Sequence, residues 1–151
     1  MIIGIDPGLS GAYALLTDAY ATVGDLPIVN KHLDAAEFLR IIKAQPIDLA
    51  IVEAVTARPG NGSVSSFTFG RCYGAILATL ACAGIRTITA SPAHWKKAMG
   101  LNADKERSRA RAIMEFPAVT GLARKRDEGR AEALLLALHA RNLETAKRAA
   151  T

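Results

Sequence analysis

Three short apolar runs divided by turn residues fill the first 26 positions, before any helical periodicity is met. Ile2–Ile5 stops at Asp6-Pro7-Gly8, Gly11–Leu16 follows, and Tyr20–Leu26 is closed by Pro27. Runs this short, bounded by Pro, Gly and Asp, read as strands joined by tight turns. The pattern then changes. An amphipathic helix opens at Asp34 and runs to about Ala44, with Phe38, Leu39, Ile41 and Ile42 as its apolar positions. Ile47–Val52 is a fourth strand, buried by its composition, with Glu53 at its end. A small-residue-rich helix from Ser65 to about Ala83 comes next, with Gly84 as its stop. Thr87–Thr89 is a fifth strand, and Ser91-Pro92 starts a short helix through Trp95 and Lys97, with proline in the first-turn position it favours. Asp104–Phe116 is a basic helix, and Asp127 to about Lys147 is the last, with Ala131, Leu134, Leu135 and Leu138 at i, i+3, i+4 and i+7. Strands in series followed by strands alternating with helices predict an α/β domain. Its five-stranded mixed sheet is flanked by helices. With 151 residues, half of them apolar, and no linker, repeat or low-complexity stretch, one domain spanning 1–151 is expected.

Charge is unevenly divided. Residues 1–75 carry 5 basic and 7 acidic side chains, whereas residues 76–151 carry 14 basic and 7 acidic. The second half thus supplies the positive field, which favours a polyanionic partner, nucleic acid before membrane. Cys72 and Cys82 are too few for a disulfide scaffold and match no zinc spacing, so both are expected to be small buried hydrophobes. Tyr73–Ile85, the most apolar stretch, falls short of a membrane span, and the opening residues have no basic leader. A cytoplasmic protein without a membrane is the expectation.

Three acids stand where core residues surround them. Asp6 ends the first strand, Glu53 ends the fourth, and Glu132 lies within Ala131–Ala137 of the last helix. In open α/β sheets ligands bind at the carboxyl ends of strands, so Asp6 and Glu53 are expected to converge there. Clustered carboxylates repel one another unless a cation neutralises them. A hard ion such as Mg²⁺ suits oxygen ligands, and a pair of such ions assists phosphodiester cleavage. A fourth ligand comes from Asp127 or Glu128; Glu128 shares a helix face with Glu132, and periodicity leaves the choice open.

Ile3–Ala12, with its Gly-Ile-Asp-Pro-Gly core, resembles the opening motif of the RuvC-type Holliday junction resolvases of the ribonuclease H-like superfamily. Ile51-Val52-Glu53 matches the second acid of that family. Arg58–Ser63 with Ser66–Gly70 is similar to the phage and plastid variant, and Ser91–Lys97, Asp104–Glu106 and Asp127–Leu134 continue the order. The resemblance covers nearly the whole chain. It implies a ribonuclease H-like fold and a homodimeric endonuclease that cuts two symmetric strands of four-way junction DNA. It also implies two Mg²⁺ per site, with Mn²⁺ able to substitute, held by Asp6, Glu53, Glu132 and either Asp127 or Glu128. The chain departs from the bacterial pattern in the spacing of the last acidic pair, and in having Thr56 where that pattern has a base-stacking aromatic.

DNA contacts are expected from Lys105, within a family block, and from Lys125, Arg126 and Arg130 beside the last acids. Lys96 and Lys97 form a further candidate patch, while Trp95 between them and the strand reads as a packing anchor. The glycine-rich loop Arg58–Ser63, through Arg58 and Asn61, is placed to read the crossover. Phe67 and Phe69 sit at helical spacing that favours core, and His94 and His139 read as structural. The small residues of Ser65–Ala83 would let two helices approach closely, so that helix is the expected dimer contact. A non-catalytic branched-DNA binder is the main alternative, with another ribonuclease H-like nuclease acting on branched or single-stranded DNA beside it.

Overall fold

The computed structural model describes residues 1–54 and 62–150. Strands β1 (Ile2–Asp6), β2 (Ala12–Leu16) and β3 (Ala21–Asp25) form an antiparallel meander. A two-stranded hairpin, β4 (Ile28–Val29) and β5 (His32–Leu33), leads to helix α1 (Ala35–Lys43). Strand β6 (Leu49–Glu53), helix α2 (Ser63–Cys82) and strand β7 (Arg86–Ala90) follow. Then come α3 (Pro92–Ala98), α4 (Lys105–Glu115), a 3-10 turn at Lys125–Asp127, and α5 (Glu128–Ala149). The main sheet has the order β3-β2-β1-β6-β7, with β6 and β7 parallel to β1. This is the mixed five-stranded sheet that the sequence pattern predicts.

Helix starts fall where side-chain caps fall. Asp34 accepts from the Glu37 N–H, Ser91 caps α3 with Pro92 in its first turn, and Asp104 accepts from the Glu106 N–H. The hairpin was not foreseen, because its turn residues Asn30 and Lys31 lack the usual glycine. Both nevertheless adopt positive φ (49° and 62°), as a tight two-residue hairpin turn requires.

Strand alternation divides the core. Ile3 and Ile5 of β1 and Ala50 and Val52 of β6 face α1 and α2, meeting Phe38, Ile42, Cys72, Ile76 and Leu80. Leu49 and Ile51 face the opposite way, toward α5. Gly4 lies on that second face, and a Cβ there would sit 2.1 Å from the Ala133 carbonyl oxygen and 2.7 Å from the Ala137 nitrogen. The missing side chain lets α5 lie directly on β1. Trp95, Met99, Ala112 and Leu122 cover the outer side of α5, so every residue from Ala131 to Ala140 is buried. Each fully buried Leu of this helix contributes roughly 1.5–3 kcal/mol. Gly4→Ala pushes a methyl group into backbone that cannot rotate away. We expect a loss of about 3 kcal/mol and a fall in melting temperature of about 6–12 °C, read by thermal unfolding; an unchanged melting temperature would refute this packing.

Cys72 is buried as expected, but Cys82 is exposed, because in the last turn of α2 it is Thr79 and Leu80 that face inward. Phe67 and Phe69 are not core either. They are 70% and 38% exposed and precede Cys72, the first buried residue of α2.

Candidate active site

Period-two alternation along β1 and β6 places Asp6 on the same face as Gly4, and Glu53 on the same face as Ile51. In the parallel register Ile5 stands beside Val52, so the next residues, Asp6 and Glu53, leave neighbouring strands on the side covered by α5. Helix α5 brings Glu128 and Glu132 to that side, one helical turn apart. All four carboxylates line one cleft of about 750 Å³, together with Lys96, Lys97, Lys105 and Arg126. Gly129 makes the approach possible: a Cβ on it would stand 3.1 Å from Asp6 Oδ2.

Asp127 and Glu128, the alternatives left open in the sequence, are placed differently, and Arg124 makes the difference. Asp127 is buried away from the cleft. It accepts the Arg124 backbone N–H at 2.9 Å and the Arg124 guanidinium at 2.8 Å, which hold its carboxyl down at about 2. It closes the turn before α5, while Glu128 lines the cleft. Arg130, a candidate DNA contact in the sequence, is paired within the chain. Its guanidinium grips Asp25 of β3 through two bonds of 2.7 and 2.6 Å, and it tethers α5 to the sheet outside the cleft. Lys125 is exposed but is not among the cleft residues. Arg58, Asn61 and Thr56 lie outside the described residues.

Electrostatics within the cleft are dominated by buried negative charge. Burial pushes the Asp6 carboxyl up to about 8, and the nearby Glu53 and Glu132 add to the shift, against the pull of Lys105 and Lys96. Burial also raises Glu53, partly offset by a hydrogen bond that its Oε1 accepts from Trp95 Nε1 at 2.8 Å. Lys96, a candidate DNA contact with Lys97 in the sequence, is largely buried. It is 9% exposed, and its ammonium donates to Glu132 Oε1 at 2.5 Å. Sequence reasoning missed both contacts, since an apolar-looking Trp and a Lys in a basic run carry no signal of the acids they meet.

The donor set is hard, anionic and oxygen-rich, which suits Mg²⁺ or Mn²⁺. A carboxyl forced to hold a proton near neutral pH is the response expected of a cation site without compensating positive charge. Among the described residues, no three His, Cys, Asp or Glu side chains already form a finished cage. Lys96 supplies one positive charge, and Glu132 has turned to it. The donor types suit a divalent ion, while among the described residues no three of them stand close enough together to form a ready-made site.

Among solved structures, Thermus thermophilus RuvC in complex with a Holliday junction substrate is similar over 95% of this chain and 94% of its own, with a TM-score of 0.69 and 18% identity. The fowlpox virus resolvase, solved with Holliday junction DNA, matches over 95% and 99% of the two chains at a TM-score of 0.60 and 14% identity. The yeast mitochondrial resolvase Ydc2 matches over 91% and 77% at 0.53 and 11%. No family model matches the sequence, and no curated protein does. At such low identity the likeness lies in the fold, and the fold of this chain is that of the RuvC-type Holliday junction resolvases.

Proposed function

We propose that the chain is a structure-specific endonuclease that resolves four-way DNA junctions, acting as one nuclease domain over residues 1–151. The observation that carries this reading is the cleft itself, where four carboxylates from β1, β6 and α5 meet inside a rim of Lys97, Lys105 and Arg126. Pure DNA binding gains nothing from buried acids, which repel a polyanion. Cleavage does.

Asp6, Glu53, Glu128 and Glu132 would hold Mg²⁺. When bound, such an ion lowers the pKa of water and neutralises charge on the phosphodiester. Residues of the chain do the rest. Lys97, Lys105 and Arg126 attract and orient the backbone phosphates, and the apolar floor around Asp6 keeps competing solvent out. Trp95 and Lys96 hold two of the carboxylates in place from behind. Purified protein incubated with Mg²⁺ and labelled junction should cut it at paired positions and leave linear duplex intact. Tight junction binding without cleavage in Mg²⁺ or Mn²⁺ would instead support a branched-DNA binder. Cutting of single strands or simple forks alone would support a different nuclease of this fold.

Symmetric cutting requires two sites, and α2 suits a two-fold contact. Val64 and Phe67 are exposed, and a Cβ on Gly70 or Gly74 would meet nothing within 4 Å. Gly74→Glu therefore leaves the single chain intact while placing a charge on that face. The expected result is a dimer for the parent and a monomer for the variant in analytical ultracentrifugation, with paired cutting lost and melting temperature retained. A dimeric variant would move the contact elsewhere. No helix among the described residues is long and apolar enough to cross a membrane, and action on DNA in the cytoplasm of a bacterial or phage-infected cell accords with this reading.

A further inference from the structure

Trp95 is the chain's one tryptophan, and its ring is fully buried among Leu49, Ile51 and the α5 leucines. A phenylalanine or leucine would serve that packing role. The indole adds a single polar atom, Nε1, and that atom donates to Glu53 Oε1 at 2.8 Å. Its neighbour Lys96 lays its ammonium over the indole, 5.4 Å from the ring centroid, and donates to Glu132 Oε1. Two consecutive residues of α3 thus hold carboxylates that arrive on different elements, Glu53 from β6 and Glu132 from α5. Helix α3 is itself fixed by the Ser91 cap and by the Leu101 N–H bonded to the Lys96 carbonyl at 2.7 Å.

We propose that Trp95 is a positioning residue for the cation site: its indole N–H fixes Glu53 Oε1 and so commits the second oxygen, Oε2, to the cleft. A carboxylate with one oxygen tied cannot turn to bind an ion through both, nor swing away when the cleft is empty of charge. The role rests on the nuclease reading for its consequence in cleavage, but not for its consequence in ion binding. Outer partners of metal ligands of this kind alter affinity or activity by about 10- to 100-fold.

Trp95→Phe keeps an aromatic ring in the core beside Lys96 and removes the donor, together with part of the buried indole volume. Mn²⁺ affinity measured by calorimetry without DNA should fall about 10- to 100-fold. In cleavage assays the Mg²⁺ concentration for half-maximal rate should rise by a similar factor, with the rate at saturating Mg²⁺ largely recovered. A loss confined to the maximal rate, with ion affinity unchanged, would mean packing alone and would overturn the proposal. If the parent binds Mn²⁺ but cuts no junction, the nuclease reading fails while the calorimetric comparison still judges Trp95. Should the Phe variant not fold, the single indole N–H resonance of ¹⁵N-labelled native protein carries the test. It should move on adding Mn²⁺-free Mg²⁺ and in Glu53→Ala; a resonance indifferent to both overturns the assignment.

Discussion

Asp6→Asn should abolish the proposed junction cleavage and, in chelator-treated buffer near neutral pH, yield a protein more stable than its parent. The first half follows from removing one of the four carboxylates proposed to hold the ion. The second follows from the carboxyl's proton. Folded, Asp6 keeps that proton up to about pH 8; unfolded, it gives it up near the ordinary 3.8. Between those values the folded state binds more protons than the unfolded state. The contribution to stability is complete below the unfolded value and is lost as pH rises through the folded one, at up to about 1.4 kcal/mol per pH unit. Asparagine has no such proton. Urea unfolding of parent and variant should therefore coincide near pH 4 and diverge progressively toward pH 8, the variant being the more stable. Saturating Mg²⁺ should close the gap by stabilising the parent alone. Parallel curves at every pH would refute the buried, proton-holding Asp6.

The second large effect concerns Lys96. Its ion pair with Glu132 is buried on both sides, with side chains 11% and 3% exposed. Removing one partner of such a pair strands a charge in an apolar interior, so Lys96→Met should lose about 3–5 kcal/mol. Lys96→Met combined with Glu132→Leu should recover most of that, since a well-packed apolar pair often matches a buried ionic one. The single variant should also gain more stability from added Mg²⁺ than the parent gains, because an ion then replaces the positive charge that Lys96 placed against Glu132. Thermal unfolding with and without Mg²⁺ checks all three. A variant as stable as its parent, or indifferent to Mg²⁺, would show that the lysine does not neutralise this acid.

The fold was largely legible because its signals are local. Alternating runs, a Pro-closed third strand and side-chain caps at Asp34, Ser91 and Asp104 each act within a few residues. The missed hairpin shows the limit: Asn30-Lys31 turns tightly without glycine, so its sequence looks like ordinary loop. For the site, the positions of Asp6, Glu53 and Glu132 could be read as acids at strand ends or within an apolar helix. Their partners could not. Asp127 and Glu128 differ by one residue, and only Arg124 bending back onto Asp127 separates them. Arg130 sits beside the acids in sequence, yet Asp25, far earlier in the chain, takes its guanidinium. Phe67 and Phe69 have helical spacing, but no residue of α2 before Cys72 is buried, and Phe69 instead lines the cleft beside Gly8. Arg130 is settled by a partner 105 residues away and Asp127 by one only three away, and in both a sequence displays residue types without displaying who meets whom.

Helix α5 is both the most deeply packed element and the carrier of two of the four acids. Asp6 and Glu53 reside on the sheet, so the complete set exists only after this last helix has docked across nearly the whole chain length. Contacts of such separation form late in folding. If the cleft cuts DNA as proposed, an unfinished or partly unfolded chain would lack two of the four acids that cutting needs. Such an activity would arrive only with the completed fold.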